Sequence, residues 1–307
     1  MDSIKVFSPG SVTNLSCGYD ILGFCLDKVG DTITVTKTSE NGIKISSIDK
    51  YNLPTSIDKN VAGIAAQAMM KDIKLDYGFD IKIKKGIKPG SGIGSSAASS
   101  AGVVFAINKL IDSPFSDLEL IKFAMEGEKF VSGSYHADNV SPILLGGFTL
   151  VRSVKDLDII KLPNPKGLIV TIIRPEIELK TIDSRKVVKS KVTIDKMVQQ
   201  SANLAAFISS LYTEDYDLMS NSIVDEIIEP DRALLIPEFY NIKDISIKSG
   251  AIACGISGSG PAIFALSKSN KIANNILNKM SSHYNSVNIS YNGFVSIINS
   301  EGVKVID

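Results

Sequence analysis

The chain lacks an excess of charge of either sign. Over 307 residues, 33 Lys and Arg balance 33 Asp and Glu. That balance argues against a nucleic-acid partner, which needs a basic field, and against an acidic tail built for a basic partner. Long apolar runs are missing too. No window of about eighteen apolar residues occurs, so no membrane span or membrane partner is expected. Cysteine is scarce. Cys17, Cys25 and Cys254 are odd in number, fit no metal-ligand spacing and give no sign of a disulfide framework. The opening "MDSIKVFSPGS" carries charge at once and no continuous apolar stretch. It predicts no secretory signal, and a reducing, cytoplasmic location fits best. Arginine is limited to Arg152, Arg174, Arg185 and Arg232, and histidine to His136 and His283. The rare arginines matter because a guanidinium pairs bidentately with carboxylate or phosphate.

What is present is ordinary globular material: 44% hydrophobic and 21% charged residues. The length suits two domains of about 150 residues each. Residues 32–38, 43–48 and 79–87 read as strands, the first and last from period-two alternation and the second from its place after Asn41-Gly42. Residues 60–72 and 95–111 read as helices, and Ser116-Asp117-Leu118-Glu119 is a capping box before a helix reaching about residue 130. A strand is expected over 147–154. Residues 157–167, with two prolines and a glycine after a polar turn, mark a boundary, giving domains 1–160 and 161–307. Beyond it, 167–175 reads as a strand, 193–212 and 271–283 as helices, and 250–267 as strand, glycine turn, strand. Residues 293–306 read as a closing hairpin around Ser300-Glu301-Gly302. Strands and helices mix without steady alternation, so the fold class is α+β.

The stretch "PGSGIGSSAASSAG", residues 89–102, needs a chemical reason. A glycine-rich loop feeding a helix is an anion site: backbone amides point outward and the helix dipole adds positive potential. Glycine lets the backbone approach a ligand, and small side chains let the first turn pack tightly. Ser95 and Ser96 can donate to phosphate, or one can ligate Mg²⁺. The loop is not a Walker A motif, because no lysine follows Gly94. It is not the Rossmann fingerprint, because Gly90, Gly92 and Gly94 have the wrong spacing.

"SGIGSSAA" resembles the phosphate loop of the GHMP kinases, P-x-x-x-G-[LIV]-G-S-S-A, with Gly92, Gly94, Ser95, Ser96 and Ala97 matching. Pro89 sits one residue closer to the first matching glycine than the pattern has it. "GISGSGPAIFAL", residues 255–266, is similar to the family's C-terminal glycine motif. "SPGSVTNLSCGYDILGFCLD" resembles the N-terminal motif of the homoserine kinase branch, with Asn14, Gly18, Tyr19, Asp20 and Gly23 matching and Cys17 standing where proline is usual. "HADNVSPILLGGF" resembles a phrase of the same branch. Together the motifs span most of the chain.

The resemblance implies two domains, one like ribosomal protein S5 domain 2 and one ferredoxin-like, with ATP between them. It implies ATP and Mg²⁺ as cofactors and transfer of the γ-phosphoryl to L-homoserine. The implied ATP-binding residues are Asn60, near the adenine, and Lys88, Pro89, Gly90, Ser91, Gly92, Ile93, Gly94, Ser95, Ser96, Ala97 and Ala98. Ser96 and Glu128 would hold the metal. Gly258, Ser259 and Gly260 would form the supporting loop. Asp138 aligns with the proposed general base of some relatives and Asn139 with a residue orienting the hydroxyl; with a loose transition state the proton could instead pass to the phosphate. Arg185 and Arg232 would bind the acceptor carboxylate, Asp20 would face its ammonium, and Asn14 and His136 would complete the pocket. Thr181 would support the γ-phosphate or Arg185. Arg152 and Arg174 read as surface residues, and a homodimer is the assembly the resemblance suggests. Two other readings stay open at this stage: a mevalonate-type GHMP kinase, and a non-catalytic nucleotide sensor.

Overall fold

Alternating apolar residues lead the first half of the chain into strands, and its Ala- and Ser-rich runs into helices. The computed structural model describes residues 1–179 and 181–306. β1 (Ser3–Asn14), β2 (Gly18–Thr38), β3 (Gly42–Asp49), α1 (Val61–Met70) and β4 (Gly78–Lys84) come first. Then follow α2 (Ser95–Leu110), α3 (Asp117–Ser132), α4 (Val140–Leu145), β5 (Phe148–Ser153) and β6 (Asp158–Leu162). Among the described residues, the first sheet runs β11-β1-β2-β4-β3, with β5 on β2 and β6 on β5, where β11 is Lys304–Val305 at the chain's end. All pairs are antiparallel except β3 with β4.

α2 lies over this sheet beneath α1 and α3. Its small residues permit the close approach: a Cβ on Gly102 would stand 2.5 Å from Ile33 Cδ1, and one on Gly127 of α3 would stand 2.3 Å from Ser100 Oγ. The capping box opens α3 as the sequence predicts, with both reciprocal bonds between Ser116 and Glu119 formed.

The second half supplies β7 (Ile169–Pro175), α5 (Thr181–Lys186), α6 (Ile194–Thr213), α7 (Tyr216–Ser222), α8 (Glu229–Arg232) and α9 (Phe239–Lys248). β8 (Ala253–Ile256), β9 (Ile263–Ser267), α10 (Asn270–Ser286) and β10 (Tyr291–Ile297) complete it. Its sheet has the order β10-β7-β9-β8, all antiparallel, with α10 packed across it. That order and the βαββαβ sequence of elements are those of a ferredoxin-like unit. The two sheets share apolar packing: Phe207 of α6 meets Phe148 of β5, and both belong to one cluster with Phe24 and Phe264.

Several expectations need correction. Residues 293–306 do not form a hairpin: β10 pairs with β7, while β11 crosses to β1 of the other sheet. Asn299 redirects the chain by accepting from Glu301 N and Gly302 N at 2.8 and 3.0 Å. The boundary stretch 157–167 opens with a strand, β6, that pairs with β5 before the prolines. β1 was not legible because Pro9 and Gly10 interrupt it at a register shift. Arg174 is buried rather than superficial, because it stands on β7 between β10 and β9 where every residue is buried. Arg152 is exposed and paired with Asp158.

Candidate active site

A cleft of about 660 Å³ opens where the two sheets meet. From the phosphate loop it is lined by Lys88, Pro89, Gly90, Ser91, Gly92, Gly94, Ser95 and Ser96. Asn14, Asp20, Asn60, Glu128, His136, Asp138, Asn139, Thr181, Arg185, Arg232, Gly258 and Ser259 line it as well. Ile93, Ala97 and Ala98 point into the core instead, and Gly260 stands just behind the wall.

At one end the walls are mostly backbone. Gly90, Gly92 and Gly94 have φ of 68°, 79° and 72°, a left-handed region that favours glycine. A Cβ on Gly92 would lie 2.6 Å from the Gly260 carbonyl oxygen, so the two glycine loops touch and neither tolerates a side chain there. Ser257 Oγ donates to Gly92 O at 2.7 Å and fastens them. Gly94 caps α2 with no side-chain acceptor and no acid in the first turn, which leaves the helix amides available to an anion. Ser95 is less available than its motif suggests: its hydroxyl donates to Ile87 O at 3.0 Å. Ser91 Oγ is buried without a partner. Asn60 lines the cleft, but its carbonyl oxygen accepts from Ala62 N and Gly63 N, capping α1, while its amide donates to Pro54 O.

Beneath the loop sits a charge pair absent from the sequence reading. Lys85 ion-pairs with Asp31 and donates to Ser95 O at 3.0 Å and Ser99 Oγ at 2.9 Å. Asp31 accepts from Gly86 N and Ile87 N. The pair ties two strands to the first turn of α2. The alternation held its signal: Lys85 is in the inward phase with Ile81, Ile83 and Ile87, and Asp31 with Ile33 and Val35.

Two buried carboxylates stand in the middle of the cleft. Glu128 meets the Ser96 hydroxyl, which lowers its pKa, but burial outweighs this and pushes it up to about 7. Its Oε1 has no partner. Asp138 is pushed up to about 7 by burial and the nearby charge of Asp20, and its Oδ1 is likewise unpartnered. Unpartnered buried carboxylate oxygens beside a hydroxyl suit a hard divalent cation. Among the described residues no cluster of three His, Cys, Asp or Glu exists, so such a cation would draw its other ligands from phosphate and water. Asn139 accepts from Ser11 Oγ at 2.7 Å and its amide reaches Thr13 Oγ1 at 3.4 Å.

The other end is built from charged side chains. Arg185 donates to both oxygens of Asp20, at 3.1 and 2.8 Å. Burial works against the Arg185 charge, but Asp20 outweighs it and the pKa is raised. Arg232, deeply buried, donates to Ser184 O at 3.2 Å and Gly258 O at 3.0 Å. Burial lowers its pKa, with Arg185 adding to the effect after the opposing pull of Tyr19. Asn14 joins the two domains' motifs: it donates to Gly258 O at 2.7 Å and accepts from Asp20 N at 2.9 Å. His136 Nδ1 stands 3.9 Å from Asp20, and burial lowers its pKa, which favours the neutral ring. Thr181 Oγ1 lies 3.4 Å from Ser259 Oγ. His283 lies far from this set, paired with Glu238 at 2.9 Å.

Comparison with known proteins identifies the family. The family described as GHMP kinases N terminal domain matches residues 60–147, and GHMP kinases C terminal matches 207–286. A homoserine kinase of Chlorobium phaeobacteroides is 36% identical over 320 residues, covering 100% of both chains. The chain belongs to the homoserine kinases. Another member, from Methanococcus vannielii, is 41% identical over 87% of this chain and 89% of its own. The crystal structure of homoserine kinase from Cytophaga hutchinsonii superposes with a TM-score of 0.96 at 42% identity, covering 100% of this chain and 98% of that one. Homoserine kinase relatives along the full length do not favour the mevalonate-type or sensor readings.

Proposed function

We propose that the cleft transfers the γ-phosphoryl of ATP to the side-chain hydroxyl of L-homoserine, with the residues divided between its two ends. The product, O-phospho-L-homoserine, would feed threonine synthase in threonine biosynthesis, in the cytoplasm. A second copy of the chain is the expected assembly partner. The observation that carries this reading is the pair of unpartnered carboxylates, Glu128 and Asp138, between an amide-lined loop and two arginines.

The loop of 90–96 and the α2 amides would bind the triphosphate. Ser96 and Glu128 would hold Mg²⁺, which would offset the charge of the phosphates. Arg185 and Arg232 would take the acceptor's carboxylate, and Asp20 its ammonium. Transfer then depends on alignment and charge more than on covalent chemistry. Asn139 would orient the attacking hydroxyl. Asp138, with a pKa of about 7, can take the proton near neutral pH. A loose transition state also permits the proton to leave with the phosphoryl group.

Titrating MgCl₂ at fixed ATP tests the metal assignment. Glu128→Gln should raise half-saturating Mg²⁺ by at least about 10-fold, since losing a ligand should cost no less than losing an outer-shell partner. An unchanged titration would remove Glu128 from the metal.

A further inference from the structure

Tyr19 does not line the cleft, yet it touches both arginines that do. Its phenol oxygen accepts from Arg185 Nη1 at 3.2 Å and from Arg232 Nη2 at 3.3 Å. Its ring lies 5.8 Å from the Arg185 guanidinium carbon and 4.9 Å from that of Arg232. We propose that the Tyr19 hydroxyl is a positioning strut that fixes the spacing of the two guanidiniums, so that together they cradle the acceptor's carboxylate. The proposal rests on the reading that Arg185 and Arg232 meet that carboxylate.

The two arginines are held unequally. Arg232 is fixed by two backbone carbonyls, those of Ser184 and Gly258. Arg185 depends on Asp20, on Tyr19, and on a 3.5 Å approach to His136, while its Nε has no partner. An arriving ammonium competes for Asp20 and loosens that bidentate pair. Like charge then pushes Arg185 away from Arg232. A neutral oxygen accepting one N–H from each cation, with a π face near both, opposes that separation. Burial, and after it the charge of Asp20, raises the phenol's pKa, so the oxygen stays neutral.

Tyr19→Phe keeps the ring and removes the oxygen. The test compares kcat/KM for L-homoserine and L-homoserine amide, which lacks the carboxylate charge, in wild type and variant. The proposal expects KM for homoserine to rise roughly tenfold with kcat within about twofold, as loss of one hydrogen-bond acceptor for charged donors implies. KM for ATP, and kcat/KM for the amide, should stay level. Tyr19→Leu, lacking the ring too, should raise KM for homoserine further while sparing the amide. Equal losses on both acceptors, or an unchanged KM for homoserine, would overturn the proposal. Because the readout is a ratio between acceptors, a general loss of stability cannot imitate it. Wild type that turns over homoserine beside an unselective Tyr19→Phe defeats the strut alone. Wild type inert with homoserine defeats the functional reading and the strut with it.

Discussion

At the phosphate end of the cleft, the groups a ligand would meet are amides and glycines fixed by φ, by close backbone approach and by the Lys85–Asp31 pair beneath. At the acceptor end they are charged side chains already bonded to one another, Arg185 to Asp20 above all. The first end has the backbone arrangement that a polyanion would need. The second satisfies its own charges, which on the proposed reading a zwitterion would replace with both signs. Binding there would then be an exchange of ion pairs, and a ligand with one charge would leave either Asp20 or Arg185 without its partner. On that reading, the difference would select a zwitterion over a neutral or singly charged acceptor.

Substitutions can break the comparison at different points. The largest effect should come from the boundary between the ends. Asp138→Asn should lower kcat by about 10²–10⁴-fold if Asp138 is a base, with KM for ATP nearly unchanged, as steady-state kinetics would read. A wild-type kcat in the folded variant would leave proton transfer to the phosphate. Next is Lys85→Met, which strands the buried Asp31. Denaturant unfolding should show a loss of about 3–5 kcal/mol, as expected when one partner of a buried ion pair is removed.

The pH dependence comes third. Glu128 and Asp138 hold protons in the folded chain up to about 7, against 4.5 and 3.8 in ordinary surroundings. Between those limits the folded state binds more protons than the unfolded one, so ligand-free stability falls as pH rises toward 7 and levels above it. The total loss across that window amounts to on the order of 3 kcal/mol per group. Urea unfolding at pH 5 and pH 8 should show the loss, and Glu128→Gln should reduce it. Arg232→Lys should act on the acceptor end alone, raising KM for homoserine by roughly tenfold, because an ammonium cannot replace the guanidinium fork. The smallest effect belongs to Asn60→Ala. It should cost about 1 kcal/mol of stability by uncapping α1, a thermal-shift measurement, with little change in KM for ATP.

The same division governs what could be read from sequence. The phosphate loop was legible because glycine at 90, 92 and 94 leaves few alternatives: their positive φ is a backbone requirement. The capping box of α3 was legible for the same local reason. Non-local facts were not. That Asp20 and Arg185 neutralise each other, across both halves of the chain, follows only from the meeting of the sheets. Ser95 satisfying Ile87 and Asn60 capping its own helix show that a motif residue can spend its hydrogen bonds on the fold. Lys85 and Asp31 were within reach, since their inward phase on alternating strands marks them as buried charges. The crossing of the last segment from one sheet to the other was not, because a turn sequence does not say which edge the next strand will join.

One assay addresses the central claim directly: coupled ADP release with Mg-ATP and, in turn, L-homoserine, mevalonate, L-threonine, L-serine and galactose. The account predicts strong turnover with homoserine, whose opposite charges match the proposed exchange at Asp20 and Arg185. Preferred turnover of mevalonate or galactose, which lack the ammonium, would contradict it.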